Sequence, residues 1–409
     1  MKIWIKLLAG SIIGLLLGLF LPLNETGFDL FAYLSKLIIN IGRYAIFPLV
    51  FFSLAIGTFE LKTEKKALRV YGRTVLYMMA AAALLSLIGA LSVLIMAPDR
   101  IPIVIEEEIV FNRPDVKEIF LQIFPSNLFK IFGTDGIFLL PLYFFSFFLG
   151  LNFTFDRLIT RPAVQFFDSM ARIFYHINTF ILEIMGLGMI VLSAFLVQQA
   201  LATPEIGLYR QLLLVLVIDT AIILFGIYPG LMFLLYEKKN PFKWIYATLA
   251  PAIAGLVSGD GYFTLGFLIR NGKENLGIPR KVGSATFPLF AIFGKAGTAM
   301  VSAVSFIVII NSYSSLGITA LDLFWVVLFS FLVSFTLGGV PGIGAFVALS
   351  SLCAAYGGGY EEGYLILKPI APILVSIAVL LDVITASFSS MLVAKHEKMQ
   401  DNIEAKELI

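Results

Sequence analysis

Long apolar stretches follow one another along almost the whole chain, each closed by a short charged or glycine- and proline-containing segment. Eight of them read as membrane spans, at roughly 4–23, 30–60, 70–97, 118–153, 163–200, 208–236, 287–311 and 370–395. About 18 consecutive apolar residues suffice for a helix to cross a bilayer. Two further apolar stretches are interrupted. The first, 243–275, contains Ser258-Gly259-Asp260-Gly261, and the second, 321–358, contains Gly338-Gly339-Val340-Pro341-Gly342-Ile343-Gly344. Glycine and proline at that density break helices. Broken backbone is tolerated at membrane depth only where it is buried in protein or lines a cavity. Two such hairpins in the C-terminal half therefore predict a binding site between them. The competing reading, ordinary helices with packing glycines, has to place several helix breakers harmlessly in each.

Composition narrows the class. Of 409 residues 59% are hydrophobic and only 14% charged, and the mean hydropathy is +0.95. A soluble core of this size needs a far more charged surface, so the chain is expected to be a polytopic, all-helical membrane protein. A net charge of +2 with no basic aromatic groove gives no reason to expect a nucleic-acid partner. The single cysteine, Cys353, excludes an intrachain disulfide and a cysteine-based metal cluster. His176 and His396 are far apart; His396 is expected to be solvated and His176 interfacial. No nucleophile–base pair and no phosphate loop is visible, so an enzyme is not expected.

Loop charge sets the expected orientation. Lys2 and Lys6 lie at the front of the first span, which reads as an uncleaved helix. Lys62, Lys65, Lys66, Arg69 and Arg73 follow the second, Arg157 and Arg161 the fourth, Lys238, Lys239 and Lys243 the sixth, and Lys395 and Lys398 the last. All fall on the cytoplasmic side, with both termini. Glu106-Glu107-Glu108 and Thr203-Pro204-Glu205 fall outside. The expected location is the cell (inner or plasma) membrane.

Ions inside apolar runs carry the candidate chemistry. Lys295 lies in the run from Phe287 to Ile310. A bare ammonium in hydrocarbon costs roughly 2.5–3.5 kcal/mol even on lenient insertion scales. It therefore needs a partner, and the acid in the other late apolar run is Asp382. Asp219 is alone in the sixth span, as either a packed acid or part of the functional half. Asp168, Arg172 and Glu183 in the fifth span read as structural contacts.

Four markers in order resemble the dicarboxylate/amino acid:cation symporters, the family of glutamate and aspartate transporters. Gly339-Val340-Pro341-Gly342-Ile343-Gly344-Ala345 is similar to that family's second hairpin tip. Gly297-Thr298-Ala299 matches the end of its seventh-span signature Asn-Met-Asp-Gly-Thr-Ala. Thr264-Leu265 with Ile269-Arg270 resembles the limb after the first hairpin tip, and Val393-Ala394-Lys395 the close of the eighth span. Pro125-Ser126-Asn127 and Asn240-Pro241 match more weakly. The resemblance implies eight spans plus two re-entrant hairpins, near 243–275 and 321–358, in a homotrimer of elevator-type transporters. It divides the chain into scaffold spans one and two (1–69) and span three of the transport domain (70–97). An outer loop with scaffold spans four and five follows (98–207), then the rest of the transport domain (208–409).

The departures from the family pattern are as informative. The family's asparagine, methionine and aspartate of the seventh span fall at Gly294, Lys295 and Ala296. In the third span, Met78, Ala81 and Ala82 stand where oxygen ligands usually sit. In the eighth, the sodium-binding aspartate falls at Ala386 and the asparagine at Asp382. Sodium is a hard cation that wants several oxygen donors, so the sodium sites read as degraded, with no metal or cofactor expected. Lys295, paired with Asp382, is expected to replace the bound cation. The family arginine that binds a side-chain carboxylate falls at Ala378, and the aspartate that binds the amino group at Val375. Lys295 and Arg270 remain as other sources of charge.

Substrate contacts are accordingly expected from Asp260, Gly261, Tyr262, Thr298, Val340, Pro341, Gly342, Gly344, Ser376, Ala378 and Asp382, for a small, more apolar or neutral solute of the amino acid or carboxylate class rather than an acidic amino acid. The expected function is sodium-independent secondary transport. The alternatives are a proton-coupled symporter using Lys295 and Asp382, an uncoupled facilitator, and a non-transporting receptor or anion channel. Small solute and lipid bilayer are the expected partners.

Overall fold

The structure, a computed structural model, describes residues 2–20, 25–102, 121, 123–133, 139–203, 206–235, 241–314, 317–337, 344–401 and 403. Most of these residues are helical, and none of them is in a strand. The helices are α1 (Ile3–Phe20), α2 (Glu25–Arg43), α3 (Ile46–Thr63), α4 (Ala67–Met96), α5 (Leu140–Asn152) and α6 (Arg157–Leu201). There follow α7 (Arg210–Ile222), α8 (Tyr228–Leu235), α9 (Pro241–Ala247), α10 (Leu249–Ser258) and α11 (Gly261–Glu274). The last are α12 (Arg280–Phe293), α13 (Ala296–Tyr313), α14 (Ala320–Leu337), α15 (Gly344–Tyr356) and α16 (Ala371–His396). A π-helical segment, Ile223–Ile227, joins α7 to α8, and a 3₁₀ segment, Gly363–Ile370, leads into α16.

Seven stretches among the described residues are long and apolar enough to cross a membrane: Ile3–Phe20, Thr26–Thr63, Ala67–Met96, Leu158–Leu201, Ile206–Leu235, Arg280–Tyr313 and Gly363–His396. The span expected at 118–153 is not one continuous helix. Its described part is a helical turn at Lys130–Gly133 and the 13-residue α5, about 20 Å long at 1.5 Å per residue. The acidic Glu106–Glu108 segment lies outside the described residues, as do Pro204, Glu205 and most of the C-terminal tail.

Two expected spans turn out to be bent. The stretch read as one span at 30–60 is two helices, α2 and α3, separated by Tyr44 and Ala45. Pro48 explains the bend: it has no N–H for the carbonyl of Tyr44, and its ring collides with that carbonyl in a continuous helix. The stretch read as 287–311 is α12 and α13, separated by Gly294 (φ −81°, ψ 62°) and Lys295 (φ −100°, ψ 53°). Here the N–H groups of Gly297 and Thr298 bond to a side chain on another helix, described below, so the α-helical ladder restarts at that point.

Packing forms two groups. α1, α2 and α3 lie on the long α6, and α3 also on α5. Small residues allow the closest approach: a Cβ added at Gly10 of α1 would sit 2.0 Å from the Gly186 carbonyl oxygen of α6. In the second group α13 is central, against α4, α14, α15 and α16. The apolar windows of Arg280–Tyr313 and Gly363–His396 are 94% and 83% buried, against 33–44% for the other five. The last two long stretches are therefore the interior of the bundle, and the others present much of their apolar surface outward, as lipid-facing helices do.

Candidate functional site

The first hairpin is α10 followed by α11. The chain reverses at Gly259 (φ +60°), in the left-handed region that a side chain disfavours. Asp260 then starts α11. Its carboxylate accepts from the N–H groups of Tyr262 (3.0 Å) and Phe263 (2.7 Å), which satisfies two of the unpaired donors at a helix start. The same Oδ1 accepts from Arg43 Nε at 3.0 Å, and Arg43 also forms an ion pair with Oδ2. Asp260 is 1% exposed. It therefore holds the hairpin tip and ties it to the end of α2, where a substrate contact was expected.

A cavity of about 1290 Å³ opens beside this tip, between α2, α6, the first hairpin, Phe346 of α15 and the start of α16. Asp260, Tyr262 and Ser376 line it, together with Lys36, Arg43 and Lys368. Among the described residues the only acid on its wall, Asp260, is already paired with Arg43, so the described wall carries two further cations, Lys36 and Lys368, without a facing carboxylate. The buried hydroxyl of Ser35 also lines it and has no hydrogen-bond partner.

Behind the tip lies a second, closed node. Lys295 Nζ is 3.9 Å from Asp382 Oδ2, with side-chain exposures of 7% and 6%. Asp382 Oδ1 accepts from the N–H groups of Gly297 (2.7 Å) and Thr298 (3.2 Å), and Oδ2 from the Thr298 hydroxyl (3.0 Å). A carboxylate from α16 thus caps α13 at the break in the chain, where the helix dipole also favours negative charge. Lys295 Nζ lies 3.0 Å from where a Cβ on Gly261 would be, so the ammonium rests against the hairpin tip. Close packing depends on Gly297, whose Cβ would sit 2.3 Å from the Ala378 carbonyl oxygen.

The expected site residues fall into these two places. Asp260, Tyr262 and Ser376 face the cavity. Lys295, Thr298 and Asp382 form the closed node, and Gly261 lies between. Ala378 is fully buried and is not among the residues lining the large cavity; the Cβ that Gly297 lacks would sit against its carbonyl oxygen. Gly344 is buried at the start of α15, while Val340, Pro341 and Gly342 lie outside the described residues. Sequence reasoning missed Arg43. The available signal was Lys36, Asn40 and Arg43 recurring at helical spacing along one face of α2.

Other ionic residues join the two groups of helices. Glu183 of α6 pairs with Lys6 and with Arg270 of α11 (2.8 Å). Asp168 of α6 pairs with Arg172 (3.1 Å) and with Arg280 of α12 (2.6 Å), which also reaches Glu60 of α3 (3.0 Å). Arg270 is consumed by Glu183 and Glu274, away from the cavity. His396 is exposed and bonds through Nδ1 to the Tyr77 hydroxyl.

Comparison with known proteins places this architecture. The chain is 21% identical to a proton/sodium-glutamate symport protein of Bacillus caldotenax, over 99% of this chain and 96% of that one. It is 22% identical to the protein of the same description from Geobacillus stearothermophilus, with the same coverage. A C4-dicarboxylate transport protein of Bacillus subtilis (strain 168) is 25% identical over 45% of each chain. The sodium:dicarboxylate symporter family matches residues 3–396, and this all-helical, multi-pass membrane chain belongs to that family.

Proposed function

We propose that the protein is a secondary transporter of a small organic solute of the amino acid or carboxylate class, working without sodium. The observation that carries this reading is the node at the start of α13. Asp382 is filled by two N–H groups, a hydroxyl and an ammonium. Its oxygens are then committed, and Lys295 supplies the positive charge where the family signature would bind a cation. Gly294 and Ala296 offer no side-chain oxygen there. Relatives described as glutamate and C4-dicarboxylate transporters support a solute with at least one carboxylate, and Lys36 and Lys368 offer cations for it on the cavity wall.

The mechanism we favour is an elevator. α4 and everything from α7 onward form the moving part, α1–α3, α5 and α6 form the scaffold, three copies assemble through the scaffold, and both termini are cytoplasmic. The cavity lies between the two parts, and the pairs Arg43–Asp260, Glu183–Arg270 and Asp168–Arg280 cross between them.

Exchange of labelled L-alanine, L-glutamate and succinate in proteoliposomes tests the reading. At least one should exchange at equal rates in sodium and in choline buffer. Strong stimulation by sodium overturns the proposal that Lys295 replaces the ion.

A further inference from the structure

A second buried acid stands apart from the node just described. Asp219 of α7 is 0% exposed. Its Oδ2 lies 2.6 Å from Ser92 Oγ of α4, and its Oδ1 has no hydrogen-bond partner. Ser92 Oγ is also 2.9 Å from the Gly89 carbonyl oxygen. A hydroxyl has one hydrogen to give. If that hydrogen goes to Asp219, an ionised carboxylate is left in the protein interior with one donor and a bare second oxygen, and without a counter-charge. If Asp219 carries a proton, the chain closes: the acid donates to Ser92 Oγ, Ser92 donates to Gly89, and no charge is buried. Burying an unpaired ion costs several kcal/mol, so the protonated arrangement is the one this geometry fits.

Among the described residues, no cation faces Asp219 from the elements packed on α7. α13 contains no Asp, Glu, Lys, Arg or His. The basic residues of α4, Arg69 and Arg73, lie nineteen or more residues before Ser92, about 28 Å along the helix at 1.5 Å per residue. On α16, Asp382 is engaged by Gly297, Thr298 and Lys295, while Lys395 and His396 are at its far end. Arg210 opens α7 itself, nine residues before Asp219, and Tyr209 of the preceding 3₁₀ turn donates to the Ile366 carbonyl. The side towards α13 is sealed: a Cβ on Gly89 would lie 2.7 Å from Met300 and 2.9 Å from Val304. Immediately after Asp219's turn comes the π-helical segment Ile223–Ile227. Such widened turns recur at functional positions, where they allow a helix to change register.

We propose that Asp219 and Ser92 form a proton-binding site in the second helix group, and that the ion accompanying the solute is a proton held as the Asp219 carboxylic acid. Binding is a simple protonation, carboxylate plus H⁺ giving the neutral acid, which moves with α4 and α7. This differs from a proton carried by Lys295 and Asp382, which already neutralise one another. The proton site stands on its own geometry; its role in coupling rests on the transporter reading.

Infrared spectroscopy of the full chain in lipid nanodiscs tests the site directly. At neutral pH the wild type should show a carboxylic-acid C=O band that is absent in Asp219→Asn and retained in Asp382→Asn. In Ser92→Ala the band should move to higher frequency, since one hydrogen bond is lost. An unchanged band in Asp219→Asn overturns the site, and so does an unmoved band in Ser92→Ala, a variant that removes only one oxygen. Proteoliposomes with labelled L-alanine or L-glutamate test the coupling. One proton per solute gives about tenfold accumulation per unit of pH gradient. Asp219→Asn should abolish that accumulation and keep exchange. Gradient-driven accumulation that survives in Asp219→Asn overturns the coupling role. The infrared signature without flux of L-alanine, L-glutamate or succinate leaves the proton site standing and removes the transporter reading instead.

Discussion

Arg43 at the end of α2 and Asp260 at the start of α11 are joined by a hydrogen bond of 3.0 Å and a second ionic contact, across 217 residues of sequence. The pair connects the two groups of helices at the wall of the large cavity. It also has a second task, because Asp260 holds the first turn of α11.

Those two tasks can be separated. Asn caps a helix as well as Asp does, so Asp260→Asn should keep the turn and lose the ion pair. A hydrogen bond to a charged group is worth about 1.5–3 kcal/mol, and Arg43→Met should cost that much. In a double-mutant cycle read by thermal unfolding, the two changes should be less than additive. Strict additivity means that the contact contributes nothing. Asp260→Ala should cost about 1 kcal/mol more than Asp260→Asn, the usual value of an N-cap.

At the closed node, removing one member of a buried pair leaves the other uncompensated, at a cost of about 3–5 kcal/mol. Lys295→Met is expected in that range. Asp382→Ala should be worse, since the N–H groups of Gly297 and Thr298 lose their acceptor as well. Lys295→Met combined with Asp382→Asn should recover part of the loss. Denaturant unfolding in detergent gives the order, and a double variant less stable than both singles refutes the pairing.

Much of this was legible in the sequence, for physical reasons. Seven of the eight expected span positions follow from length and hydropathy alone, and Pro48 marks the bend between α2 and α3 once its missing N–H is considered. Lys295 and Asp382 were legible as partners because ions in apolar runs require one. The break at Gly294 was not. A glycine in an apolar run reads equally as packing, and only a carboxylate 85 residues later makes a helix start there. Arg43 was hidden in another way. It belongs to an amphipathic helix whose polar face reads as solvated, and its partner is set by tertiary packing. Ala378 was assigned by resemblance, and its close packing on Gly297 of α13 is a tertiary feature that the sequence did not signal.

Glycine substitutions separate close packing from helix propensity. At Gly297 a Cβ would lie 2.3 Å from the Ala378 carbonyl oxygen and 2.5 Å from the Leu381 side chain. Gly297→Ala should therefore push α13 from α16 and cost about 1–3 kcal/mol, the range for overpacking. Gly72, inside α4, has nothing within 4 Å of its would-be Cβ. Gly72→Ala should be neutral or stabilising by up to about 1 kcal/mol. Equal effects at the two positions would show that the α13–α16 contact is looser than this geometry.

Gly42 gives the most direct test of relative movement. It lies next to Arg43, and a Cβ there would meet the Phe263 ring of α11 at 2.3 Å. Phe263 is fully buried, so its ring cannot swing aside. Gly42→Ala should destabilise this arrangement of α2 against the first hairpin, and Phe263→Leu in the same chain should relieve the clash. If the hairpin travels along α2 during transport, the substitution also changes the balance between arrangements. Exchange of labelled solute should then change by more than the loss of folding stability explains, and the second substitution should restore it. If exchange follows stability alone in both variants, the α2–α11 contact is static, and the moving boundary lies elsewhere.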